Sequence, residues 1–272
     1  MDPVKFPLQI FERLYSGITI RQPKSPDADS ELLNSDKLLL APPALNLHSL
    51  LQNLGHLPRY TTFLGVCPDG APLFIDLANP ALGSVLILGQ AQCGKTHLLK
   101  TILNSASILN SSDLVNYFVI SNNAQELRHF SRYPHCQGIY SHYHRETMQI
   151  ILGLSALAEQ RRLGRERGPA IILAIDDLTA LTGEYMDYEL FIHFRWLLRF
   201  GPSAWIWPVV TLKKTDFIEI NEELATGFST RLDNSGSSDQ YAIPAEVSNR
   251  KRQPYWQAYF ARELIQFAVP AL

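Results

Sequence analysis

Gly89-Gln90-Ala91-Gln92-Cys93-Gly94-Lys95-Thr96 sets two glycines, a lysine and a hydroxyl at the spacing of a phosphate-gripping P-loop. Each residue type has a physical reason to be there. A strand that turns tightly into a helix aims several backbone N–H groups at one point, and the helix N-terminus adds partial positive charge. Gly89 and Gly94 permit that turn. Lys95 supplies a point charge for the β- and γ-phosphates, and the Thr96 hydroxyl can ligate the Mg²⁺ that neutralises them. The stretch expected to contact nucleotide runs from Gly89 through His97. Cys93, beside Lys95 and a helix start, invites a redox reading through a lowered thiol pKa; the plainer reading is a small side chain that fits the loop.

Ala170-Ile171-Ile172-Leu173-Ala174-Ile175 runs into Asp176-Asp177, an apolar strand ending in two carboxylates, which is the shape of a Walker B element. Asp176 is assigned to Mg²⁺ and Asp177 to polarising the attacking water. ATP with Mg²⁺ is therefore the expected ligand. His129, His135, Cys136, His142 and His144 match none of the usual zinc spacings and read as loop or surface residues.

The elements that must position these groups follow from periodicity. Ser84 to Leu88 is a short apolar strand before the loop, and Thr96 to Ser107 puts Leu98, Leu99, Ile102, Leu103 and Ala106 on one helical face. Further strands are expected at Leu114 to Ser121, Gly138 to Tyr140, Ala170 to Ile175 and Ala204 to Val210. Helices are expected at Ala124 to Phe130, Arg145 to Leu163 and Tyr188 to Phe200. Strand-like runs at Tyr255 to Phe260 and Glu263 to Val269 close the chain. Alternating strands and helices imply a mostly parallel sheet flanked by helices. Upstream, Tyr60 to Val66 and Pro72 to Leu77 read as strands around Pro68-Asp69-Gly70, and Leu45 to Leu54 as a helix. Residues 1–58 read as an N-terminal leader and linker, with Phe6, Ile10, Phe11 and Leu14 on one face of a short docking helix and a Pro/Asp/Ser-rich connector from Gln22 to Asp36.

With 272 residues, 46% of them hydrophobic, the chain can bury a full core. No apolar run approaches the ~20 residues that cross a bilayer, so no membrane span of its own is expected and the cytoplasm is favoured. Three scattered cysteines, Cys67, Cys93 and Cys136, make no disulfide framework. The net charge of −2 shows no global affinity for nucleic acid. The clusters Arg161, Arg162, Arg165, Arg167 and Arg250-Lys251-Arg252 read as solvated helix-end and loop charge or as phosphate contacts.

From Tyr60 onward the chain resembles the motor domain of the FtsK/SpoIIIE family. The resemblance rests on Pro72-Leu73-Phe74-Ile75-Asp76-Leu77, the P-loop, Tyr133-Pro134-His135, Leu157-Ala158-Glu159-Gln160-Arg161-Arg162 and Asp176-Asp177. Thr230-Arg231-Leu232 and Gln266-Phe267-Ala268-Val269-Pro270 are similar to the EccC-type ATPases of type VII secretion. It implies a RecA-like core over residues 59–272, a homo-oligomeric ring, usually hexameric, and ATP held between subunits, with Arg231 the leading trans arginine and Arg195 and Arg199 weaker ones. It also implies double-stranded DNA as the translocated polymer. An EccC-like role in protein export, with a membrane-anchored partner docked through residues 1–58, and a hydrolysis-impaired regulatory subunit are the alternatives. Two departures bear on rate: Asp177 replaces the family's glutamate with a side chain one methylene shorter, and Thr211-Leu212 replaces a Thr-Gln sensor.

Overall fold

A computed structural model of the chain describes residues 18–20, 46–53, 57–143, 145–182, 188–218, 220, 222–234, 255–260 and 263–272. The expected docking helix around Phe6 to Leu14, the connector from Gln22 to Asp36, His144 and the Arg250 to Arg252 cluster lie outside the described residues.

Alternation within the strand before the loop dictates the layering. Val85 and Ile87 point to one face and Leu86 and Leu88 to the other, and all four are buried. A strand apolar on both sides needs cover on both sides. The helix Lys95–Leu109 covers one face with Leu98, Leu99, Ile102, Leu103 and Ala106. The helices Arg145–Arg162 and Tyr188–Phe200 cover the other with Ile151, Leu154, Ala158, Leu190, Phe194 and Leu197.

The strands are β1 (Ile18–Ile20), β2 (Thr61–Val66), β3 (Pro72–Asp76), β4 (Ser84–Gly89), β5 (Val115–Ser121), β6 (Cys136–Tyr140), β7 (Ala170–Asp176), β8 (Ile206–Lys213), β9 (Phe228–Asp233), β10 (Tyr255–Phe260) and β11 (Glu263–Ala268). They form one sheet in the order β1-β3-β2-β11-β10-β9-β4-β8-β7-β5-β6. From β9 to β6 every pairing is parallel. This is the RecA-like core. From β9 back to β1 the pairings are antiparallel and extend the sheet as a wing.

Most expected elements form within a residue or two of their expected ends. The Ala124 helix is shorter than expected, stopping at Leu127 before a 3₁₀ turn over Arg128–Arg132. β9 goes beyond the expected set: Phe228, Thr230 and Leu232 face inward while Ser229, Arg231 and Asp233 are more exposed, so no continuous apolar run announced a strand. Two segments before residue 58 attach to the wing. β1 pairs with β3, Ile18 opposite Ile75, and Leu47 and Leu51 of the helix Leu47–Asn53 pack on Phe63 and Phe74. No helix among the described residues is long and apolar enough to cross a membrane.

Gly65 is where the wing is tightest. The β2–β3 register shifts between Phe63 and Gly65. A Cβ at Gly65 would lie 2.4 Å from the Ala268 carbonyl oxygen and 2.6 Å from Phe267 Cδ2. Gly65→Ala is therefore expected to cost about 1–3 kcal/mol through overpacking. Urea unfolding checks this; an unchanged midpoint contradicts it.

Candidate active site

β4 ends at Gly89, and the chain turns through Gln92 and Gly94, both at positive φ (60° and 96°), before the helix starts at Lys95. Gly94 provides the left-handed step that a side chain resists. It caps the helix without a side-chain hydrogen bond, so first-turn N–H groups stay available to an anion. Gln90, Ala91 and Gln92 are exposed, while Cys93, Lys95, Thr96 and His97 are half-buried. Lys95 Nζ folds back to donate to the carbonyls of Gly89 (3.2 Å) and Gln90 (2.8 Å). The cation is thus held by the loop's own backbone. A Cβ on Gly89 would lie 2.2 Å from Cys93 Sγ. Burial raises the Cys93 thiol pKa despite the opposing charge of Lys95. The lowered pKa behind the redox reading is therefore corrected: burial outweighs the nearby cation. His97 Nε2 is hydrogen-bonded to the Pro270 carbonyl at 2.7 Å, tying the helix's first turn to the C-terminal segment.

Asp176 meets this loop across the sheet. Thr96 Oγ1 donates to its two carboxylate oxygens at 3.1 and 3.2 Å. Thr211 Oγ1 donates to Oδ1 at 2.9 Å, and Ser121 Oγ lies 3.5 Å from Oδ2. A hydroxyl and a carboxylate already in contact form a hard-oxygen pair suited to Mg²⁺, which takes one or two protein ligands and completes its shell from phosphate and water. The neighbouring aspartate behaves differently. Asp177 stands at φ 76°, its N–H donates to Thr211 Oγ1 at 2.8 Å, and its Oδ1 accepts from Thr179 N at 3.2 Å. That carboxylate is exposed and caps the short helix Leu178–Thr182.

The arginines are spread out. Arg231, on β9, places its guanidinium 4.7 Å from the centre of the Phe217 ring. Arg195 pairs with Glu223, and Arg199 lies over Phe200 at 5.3 Å. Arg161 turns inward and donates to the Pro169 and Ala204 carbonyls at 3.0 and 3.3 Å, a structural use of one member of the basic cluster. Leu212 is fully buried among the apolar residues of the second core face, so it points away from Asp176. The polar group at that strand end is Thr211. Its hydroxyl at the carboxyl end of an otherwise apolar strand was the available signal, and sequence reasoning left it without a role. Ser121, Asn122 and His142 were missed as well: His142 Nδ1 is 2.8 Å from Asn122 Oδ1 beside the same carboxylate end of the sheet.

A loop-capped helix after β4 and an aspartate ending β7, two strands away, define a P-loop ATPase fold. No family model matches the chain. It is 25% identical over 191 residues to the ESX-5 secretion system protein EccC5 of Mycobacterium marinum, a match covering 61% of this chain and 13% of EccC5. The chain thus spans about an eighth of that relative's length. The cytoplasmic domain of EssC superposes with a TM-score of 0.64 at 15% identity, over 85% of this chain and 48% of that one. Thermomonospora curvata EccC (ATPases 2 and 3), in complex with a signal sequence peptide, superposes at 0.58 with 16% identity, over 79% and 41%. The fold is that of the EccC and EssC ATPase domains.

Thr211 is the joint of this geometry, bonded at once to the Asp176 carboxylate and the Asp177 N–H. Thr211→Val keeps the shape and removes both bonds, so a stability loss of about 1–3 kcal/mol is expected. Mg²⁺-dependent nucleotide affinity should fall with it; a variant with unchanged unfolding midpoint and unchanged Mg²⁺ dependence contradicts this.

Proposed function

We propose that residues 59–272 form an ATP-hydrolysing domain of an EccC-like secretion ATPase that serves protein export, with residues 1–58 as the leader docking it to a membrane-anchored partner on the cytoplasmic side. The observation that carries the nucleotide chemistry is the Thr96–Asp176 contact at 3.1 Å, which joins the loop to the Walker B strand. The export reading is supported by the alignment with EccC5, a secretion system protein, and by a net charge of −2, which offers no general attraction to a DNA backbone.

In the proposed step, Lys95 leaves the Gly89 and Gln90 carbonyls for the β- and γ-phosphates, and the amides from Gln90 to Thr96 cradle them. Thr96 and Asp176 would hold Mg²⁺, whose chemistry would be to neutralise phosphate charge. Asp177 orients the attacking water after releasing the Thr179 N–H. That release costs a helix cap, so turnover by an isolated subunit should be slow. In a homo-oligomeric ring, Arg231 would be offered to the neighbour's nucleotide after leaving Phe217. The capping of Leu178–Thr182 by Asp177 also favours a second reading, a nucleotide-binding regulatory subunit with impaired hydrolysis.

Steady-state ATP turnover of the wild type and Lys95→Ala, each with and without duplex DNA, discriminates these readings. The expected outcome is slow turnover, abolished in Lys95→Ala and changed less than about twofold by DNA, against the 10³–10⁵ that trans arginines confer in related chemistry. Strong DNA stimulation would restore the translocase reading. Binding without turnover would favour the regulatory subunit. Asp177→Ala is expected to lower turnover about a hundredfold, the scale of a misplaced catalytic group; undiminished turnover would remove Asp177 from the mechanism.

A further inference from the structure

His142 lies two residues beyond β6 and is only 4% exposed. One ring nitrogen, Nδ1, is 2.8 Å from Asn122 Oδ1, whereas Nε2 is buried with no hydrogen-bond partner. Buried polar atoms are nearly always satisfied, so one left over at the working end of a sheet calls for a partner within reach. Location identifies that partner. Asn122 follows Ser121, which pairs with Asp176 across the β5–β7 ladder and places its hydroxyl 3.5 Å from the same carboxylate. The main chain and carboxylates of Asp176 and Asp177 lie against the imidazole, where burial keeps its pKa below the ordinary histidine value.

We propose that His142 is a positioning residue for the Mg²⁺-holding strand end: anchored on Asn122, it presents Nε2 to the Asp176–Asp177 main chain and fixes the carboxylate when nucleotide and metal arrive. The role rests on the nucleotide site proposed above. A half-turn of the Asn122 amide lets its Nδ2 donate to His142 Nδ1, moves the ring proton to Nε2, and lets Asn122 Oδ1 accept from the Tyr143 hydroxyl, 3.3 Å from that amide. Nε2–H then donates to a backbone carbonyl of the Asp176–Asp177 turn. That line also braces the turn that holds Asp177 at φ 76°. Partners that orient a metal ligand from behind typically govern metal affinity and activity by about 10–100-fold.

Binding of a fluorescent ATP analogue to the full chain, titrated with Mg²⁺ and separately with EDTA, reads this role without requiring turnover. In His142→Ala the Mg²⁺-dependent gain in affinity is expected to fall about tenfold or more, while affinity in EDTA stays within about twofold. His142→Gln places an amide N–H near the Nε2 position and should restore most of the gain. His142→Asn reaches Asn122 but not the Asp176–Asp177 main chain and should stay impaired. The Gln and Asn variants carry the comparison if the alanine variant melts early. Equal behaviour of Gln and Asn, equal loss with and without Mg²⁺, or no loss in any variant would overturn the role. Failure of the wild type itself to bind the analogue would instead overturn the nucleotide site, and this role with it.

Discussion

The Asp176 carboxylate has to meet the Thr96 hydroxyl across 80 residues of chain, and the parallel half of the sheet is organised around that meeting. β8 lies between β7, which carries Asp176, and β4, which leads through the loop into the helix that carries Thr96. Its register sets Thr211 opposite Ile87 on one side and Val210 opposite Ile175 on the other, which brings Thr211 level with Asp176. A slip of one residue would exchange the two faces of a strand. Slippage is opposed by the core itself, because Trp207 and Val209 are committed to one apolar layer and Val210 and Leu212 to the other. Core packing is thus what holds the polar site in register.

The same end of the sheet separates two carboxylates that are adjacent in sequence. Asp176 continues β7 and faces three hydroxyls. Asp177, at positive φ, is swung out of the strand direction and caps the next helix. Aspartate tolerates that conformation better than most residues, because its short polar side chain bonds locally. A glutamate in its place would reach farther and cap less well. The shorter side chain thus belongs to a resting geometry in which the carboxylate has local work.

The antiparallel wing supports the nucleotide end indirectly. Trp256, Ala258 and Phe267 of β10 and β11 share one apolar layer with Leu98 and Ile102 of the P-loop helix. The His97–Pro270 hydrogen bond ties that helix's first turn to the end of the chain, and Leu47 N donates to the Ala271 carbonyl at 2.9 Å. Residues before the core, residues after it and the first turn of the Lys95–Leu109 helix therefore meet in one place. Movement at the loop would reach both outer segments through short, specific contacts.

The loop, its strand and its helix were legible in the sequence because they are local: glycine spacing, a continuous apolar run and a 3.6-residue period are set by near neighbours. So was the Asp176 strand end, for the same reason. β9 was not, because its alternating Ser229, Arg231 and Asp233 read as polar until β4 and β10 flank it. Ser121, Asn122 and His142 carried no mark of their own, the Thr211 hydroxyl ending an apolar strand was a signal left unused, and Leu212 looked like a lost sensor although it belongs to the core. The sequence by itself determined the loop and the start of its helix, since that conformation resides in one turn of backbone. Only the tertiary structure decided that Asp177 caps a helix and which hydroxyls support Asp176, because those contacts depend on strand register between segments far apart in the chain.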